Sequence, residues 1–482
     1  MSAAALVVGV WSLTAGCART TSMAIGTSHR SGATNDPEAA LPARTRALQD
    51  RGLASRRAAE TVRSLTDEVG PRLSGSKNYL RAVSWAERVM AEEGLTNVRR
   101  EALREPVWVR GVETATLSAP EPHALAVTAL GNSVATAATG IRAGLVEASS
   151  LDALDAAGRT KVAGKIVFLN CPMEKQRDGS GYGKAVGCRS QGPGRAANLG
   201  AVAVVIRSVG TDTNRLPHTG ATRRQKDTVP AGALSVPDAD HLHRVLAAHP
   251  DAELELTLTP KTLEDTESFN VVGEVVGESK PEEIVLLAAH LDSWDLGTGA
   301  LDDGAGLAII LEAARLVKES GTRPKRTIRV VFYANEEVGL AGAIAYAKDH
   351  AAELPNHVAA MEADSGTAKV IGVRVLGAPD AAGRATSLFS ELSHLGIVIS
   401  GGDAEGGADT STLRAAGVPV VDLRQDFSTY FDFHHTANDT FDKIDAEALA
   451  QAATAFAVTA RTLADADFDL GRIPEAKRDR KH

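Results

Sequence analysis

A chain of 482 residues with 44% hydrophobic and 23% charged side chains can bury a large core. Such a chain should be globular, with two or three domains. A net charge of −9, no basic face and 4% aromatic residues argue against nucleic acid as a partner, because phosphate contacts and a stacking platform are both lacking.

Residues 3–15 (AAALVVGVWSLTA) are apolar, too short for a membrane span but of the length of an export signal's core. Leu13 to Cys17 resembles a bacterial lipobox, whose Cys17 would become a lipidated N-terminus, although Thr14 and the absence of a preceding Lys or Arg depart from that pattern. Residues 1–17 are therefore read as a signal or lipobox-like segment, and the polar stretch 18–45 as a flexible linker. Arg46 to Val69 has helical apolar spacing and is stopped by Gly70-Pro71. A second amphipathic helix is expected over Tyr79 to Glu93, then a strand over Val98 to Trp108.

From 114 to 263 the texture changes to short strand-like runs separated by loops, such as Lys165–Leu169 and Ala201–Ile206. Cys171 and Cys188 lie there, and an exported chain would favour pairing them over two free thiols. His218 sits in a Pro-His-Thr-Gly turn and is read as a loop histidine that at most lines a cleft. From 264 to 466 strand-like and helix-like segments alternate. The fold class expected is α/β: a mixed, mostly parallel sheet with helices on both faces. Residues 467–482 are read as a charged tail, expected to be disordered from Gly471 to His482.

The chemistry concentrates in this later part. His290 to Gly306 (HLDSWDLGTGALDDGAG) follows the apolar run EIVLLAA and precedes a helical pattern. It sets His290, Asp292, Asp295, Asp302 and Asp303 at the end of a buried strand, where an α/β sheet places its site. Crowded carboxylates repel one another unless a cation neutralises them. Three further strand ends add Asn335-Glu336-Glu337, Asp364 and His434-His435. Two histidines with several carboxylates form a nitrogen and oxygen donor set suited to zinc.

The pieces HLDSWD, GALDDGAG, YANEEVGLAGA, EADSG and FHHTANDT resemble the M28 family of di-zinc exopeptidases, and the resemblance extends from about Arg46 to Ala466. It implies a peptidase domain in two parts, 46–113 and 264–466, around an inserted protease-associated domain at 114–263. It implies two Zn2+: one on His290 and Asp364, one on Glu337 and His435, with Asp302 bridging. Glu336 would be the general base. Asp292 would orient the His290 ring, with Asp303 and Asp439 in supporting positions, and the family often has a cis peptide at the position of Asp302–Asp303. His434 would contact substrate or merely pack. Asp295, Glu362 and Asp409 are read as solvated acids; Ser411 and Tyr430 as pocket residues.

The activity implied is hydrolysis of dipeptides or short peptides with a free N-terminus by an exported enzyme. A lipid anchor at Cys17 and a homodimer stay open as further partners. Two rival readings share the architecture: a catalytically inactive receptor-like or interaction protein, and a single-zinc enzyme like the glutaminyl cyclases. The complete ligand set favours two metals over both.

Overall fold

The computed structural model describes residues 42–479; the signal and lipobox reading, Cys17 included, lies outside them. The described residues build two eight-stranded sheets with no strand shared between them. In the first, the strands run Thr96–Val109, Lys261–Val275, Arg326–Tyr333, Lys280–His290, His357–Glu362, Val420–Gln425, Val370–Leu376 and Val398–Ile399. The four central ones, from Arg326–Tyr333 to Val420–Gln425, are mutually parallel, while antiparallel strands flank them.

Alternation along the Lys280–His290 strand shows why this sheet is buried on both faces. Val285, Leu287 and Ala289 point into one core with the helices Arg57–Glu68, Ala305–Lys318 and Ala446–Asp465. Ile284, Leu286 and Ala288 point into the other, against the helix Ala341–Asp349. A strand's period of two divides one apolar run between two helical layers. The helix Ala446–Asp465 starts where Asp445 accepts from the amides of Glu447 and Ala448, both at 3.0 Å, filling two of its four orphan donors.

The second sheet takes all its strands from Glu113 to Leu258. Four helices accompany them, from Leu151–Val162 to Val236–Ala248. Its core reaches the first sheet through Leu73, Trp108, Trp294 and Val338. Cys188, within the helix Ser180–Ser190, forms a disulfide with Cys171.

Two expectations need correction. The helix read over Arg46–Val69 is two helices, Ala43–Ala54 and Arg57–Glu68. The Ser55 hydroxyl accepts from the Arg57 amide at 3.2 Å, a local bond that competes with helix continuation. The tail is packed, not loose, as far as it is described: Leu470 and Ile473 are buried, and the Ile473 amide donates to Gly417. Two apolar residues in a charged stretch suffice to seat it. Among the described residues no helix is long and apolar enough to cross a membrane.

Candidate functional site

Each predicted ligand follows the C-terminal end of one of the four parallel strands. His290 closes Lys280–His290. Asp302 lies in the turn Ala300–Gly304 that leads from that strand into the helix Ala305–Lys318. Gly306 is required at this junction, because a Cβ there would lie 1.9 Å from the Ala363 carbonyl oxygen. Glu336 and Glu337 follow Arg326–Tyr333, Asp364 follows His357–Glu362, and His434 and His435 follow Val420–Gln425. Parallel strands carry their C-terminal loops to one edge, so residues far apart in sequence meet there.

They meet around Asp302. His290 Nε2 lies 3.1 Å from Asp302 Oδ1 and 3.8 Å from Asp364 Oδ1. On the other side His435 Nε2 lies 3.1 Å from Asp302 Oδ2 and 3.1 Å from Glu337 Oε2. Two metal-sized groups result, His290–Asp302–Asp364 and Asp302–His434–His435, sharing Asp302. His434 is thus closer to the centre than a packing role implies: its Nε2 is 3.6 Å from Asp302 Oδ2, and its ring stacks on His435 at 3.5 Å. Asp302 Oδ2 and Glu337 Oε1 are buried with no hydrogen-bond donor. Orphaned carboxylate oxygens of this kind fit a cation.

The supporting carboxylates differ in detail from expectation. His290 Nδ1 faces the backbone carbonyl of Asp292 at 3.0 Å, not its side chain, whose Oδ1 is 3.7 Å away. The Asp292 carboxylate accepts instead from Ser74 Oγ at 2.9 Å and from the amides of Glu336 at 3.0 Å and Glu337 at 3.3 Å. It therefore fixes the turn that carries both glutamates. Asp303 accepts from the amides of His290 and Gly306 at 3.1 and 3.0 Å, and the Asp302–Asp303 peptide is cis. Asp439 accepts from the amides of Leu301 and Asp302 at 2.6 and 3.2 Å.

The electrostatics follow from burial and proximity. Burial pushes the Glu336 carboxyl well above its ordinary range; His290 opposes this, and the charges of Glu337, Asp364 and Asp292 add to it. Burial also lowers the His434 ring well below the ordinary histidine value, and His435 lowers it further.

Several contributors carried no motif signal. Arg72 is fully buried and donates to the carbonyls of Leu291, Thr298 and Gly299 at 2.6, 2.8 and 3.0 Å, tying down both ends of the His290–Asp302 loop. Above the ligands opens a cleft of about 550 Å³ lined by Tyr182, Arg189, Glu336, Tyr430, Phe431 and His434 among others. Tyr430 is there, as expected. Arg189, from the second sheet's region, was not foreseen. It is buried, donates to Tyr182 Oη at 2.5 Å, and leaves its Nε without a partner. Asp409 is wholly buried with both carboxylate oxygens unpartnered, and Glu362 accepts from the Asp409 and Thr410 amides. Asp295 pairs with Arg110 at 2.7 Å. None of these three is the solvated acid expected.

The fold and the strand-end cluster of His, Asp and Glu side chains accord with a peptidase: the signature of peptidase family M28 covers residues 270–460, and the chain belongs to that family. It is 39% identical over 420 residues to mouse carboxypeptidase Q, spanning 86% of this chain and 87% of the relative. Human carboxypeptidase Q is 37% identical over 425 residues, 87% and 88% of the two chains. The crystal structure of a peptidase M28 precursor from Shewanella amazonensis superposes with a TM-score of 0.87 at 42% identity, covering 89% of this chain and 98% of that one. A zinc aminopeptidase from Bacillus subtilis shares the fold at 21% identity, with a TM-score of 0.63 over 87% and 98% of the two chains.

Proposed function

We propose that this peptidase is a co-catalytic two-zinc exopeptidase acting on dipeptides and short peptides with a free N-terminus. The observation that carries this reading is that two clusters meet at one buried carboxylate, Asp302: His290 with Asp364 on one side and His435 with Glu337 on the other. His290 and Asp364 would hold one zinc, Glu337 and His435 the other, and Asp302 would bridge them. Three nitrogen and carboxylate donors per ion would leave room for a water or substrate oxygen. Two zinc ions held there would supply the positive charge that acidifies a nucleophilic water and polarises the scissile carbonyl.

The chain's own residues do the rest. Glu336 stands beside the proposed ligand Glu337 and lines the cleft, with its amide anchored on Asp292. A carboxylate so placed would take the water's proton and return it to the leaving amine. His434 faces the cleft as a substrate contact. Arg189 lines the cleft as a buried guanidinium whose Nε has no hydrogen-bond partner. A guanidinium so placed suits a substrate carboxylate, which would replace the water it has lost. A dipeptide brings that carboxylate next to the scissile bond, and for a dipeptide the carboxypeptidase and aminopeptidase bonds are the same bond.

Residues 114–263 would form an inserted lobe walling this cleft, a reading supported by their separate sheet. The Cys171–Cys188 disulfide supports an exported enzyme. Release of free amino acids from a dipeptide panel, beside N-acetylated and C-amidated versions, tests the function. Turnover of free dipeptides with at least tenfold slower cleavage of both blocked forms is expected; equal cleavage of N-acetylated peptides would refute the free-amine requirement.

A further inference from the structure

The Leu216–Gly220 turn has no place in the chemistry above, yet it is pressed against the loop that carries His435. His218 has no exposed surface. Its ring packs on Gly210, where a Cβ would come within 2.3 Å of it. His218 Nδ1 lies 2.7 Å from the His434 carbonyl oxygen and Nε2 lies 2.6 Å from Asp212 Oδ2. A carbonyl only accepts, so Nδ1 donates. Asp212 is fixed in turn by the Asn214 amide at 2.5 Å, and the His218 amide donates to Ser208 Oγ at 2.8 Å.

The next residue continues the contact. The Thr219 amide donates to the His435 carbonyl at 3.0 Å, and the Thr219 carbonyl oxygen lies 3.3 Å from His435 Nδ1. Thr211 adds its amide to the Phe431 carbonyl at 3.0 Å and its hydroxyl to Asp432 at 2.7 Å.

These bonds act where the loop needs them. His435 has φ +62°, a left-handed conformation that side chains other than glycine resist and that persists only where its surroundings enforce it. Here the carbonyls of His434 and His435 are both held from outside the loop, by His218 and Thr219. The ring is held too. With Nδ1–H directed at the Thr219 carbonyl, the lone pair sits on Nε2, the nitrogen that faces Asp302 and Glu337. A protonated Nδ1 cannot accept from Arg189, whose Nη1 lies 3.5 Å away, so that guanidinium stays available to the cleft.

We propose that His218 and Asp212, acting with the Thr219 backbone, are positioning residues of the metal centre: they hold His435 in its metal-binding conformation and tautomer. This rests on His435 being a zinc ligand. The region of the second sheet is then part of the metal site itself as well as a wall of the cleft.

The test is zinc binding by equilibrium dialysis of the full-length protein against zinc buffers, beside thermal melting. His218→Phe/Asp212→Leu removes both partners and leaves no buried charge unpaired. One of two zinc sites should weaken by about 10–100-fold, the range for lost ligand-orienting bonds, while the other keeps wild-type affinity. Asp212→Asn still supplies a hydrogen-bond partner to Nε2 and should stay within about threefold of wild type. Should the double variant fail to fold, His218→Gln, which cannot reach both acceptors, must show the same one-site loss. Wild-type affinity at both sites in any folded variant lacking His218 overturns the proposal, and so does equal weakening of both sites. A wild-type protein binding fewer than two zinc ions refutes the two-zinc reading instead.

Discussion

The ligand loops of the first sheet and the 208–220 segment beside the second sheet reach the same centre by different means. The first set brings the proposed donor atoms: five residues at the ends of four parallel strands, two of them approaching Asp302 at 3.1 Å. The second brings no donor in the proposed set, only bonds to the backbone and ring of one that does. Donor atoms must be of a particular chemical kind, whereas a positioning contact needs only a hydrogen bond in the right place. Loss of a donor should therefore be near-absolute, and loss of a positioning contact graded.

That contrast is sharpest at Asp302. Asp302→Ala should empty both metal positions and reduce dipeptide turnover to background, because the two cations lose their shared anion. Metal analysis of the purified variant checks this, and retained zinc at wild-type stoichiometry would remove Asp302 from the bridging role. Glu336→Gln comes next. It keeps the shape and the hydrogen bonds but cannot accept a proton, so kcat should fall by ~10²–10⁴-fold with zinc content unchanged. Zinc loss in this variant would make Glu336 a ligand.

A smaller effect is expected at Arg189, on the second sheet's side of the cleft. Arg189→Met keeps much of the packing volume and removes the charge. KM for free dipeptides should rise ~10–100-fold, the worth of a buried charged hydrogen bond, while C-amidated dipeptides change little. An equal rise for both would show that Arg189 only packs.

The smallest expected effect concerns stability alone. Glu105, wholly buried in the Thr96–Val109 strand, is pushed up to about 7 by burial, with the charge of Asp292 adding to it. Its folded-state value thus lies above the unfolded one, and the folded chain keeps a proton that the unfolded chain releases between about 4.5 and 7. Stability contributed by the protonated form is therefore lost as pH rises through that window. Glu105→Gln should be neutral near pH 4 and stabilise by up to roughly 3 kcal/mol at pH 8. Urea unfolding at the two pH values reads this, and a difference independent of pH would contradict it.

The same contrast explains what the sequence discloses. The proposed ligands His290, Asp302, Glu337, Asp364 and His435 are legible because metal binding would restrict residue type and because strand-like runs precede them. The parallel central strands follow from apolar runs too continuous for a sheet with one wet face. Arg72 and Arg189 look like any surface arginine until the fold buries them, and Asp409 like any surface acid. His218 sits in a Pro-His-Thr-Gly turn whose local pattern signals only a loop, since its partners lie 6 and 216 residues away. The role of Asp292 was half legible: its place near His290 was clear, but its carboxylate serves the Glu336–Glu337 turn 44 and 45 residues further on. No local periodicity records a contact of that span.

The most direct single measurement is a zinc titration of the metal-stripped protein, with dipeptide turnover followed at each step. The two-zinc assignment predicts binding that saturates at two ions per chain, with full turnover reached only as the second site fills. Full turnover at one ion per chain, or without added metal, would contradict it.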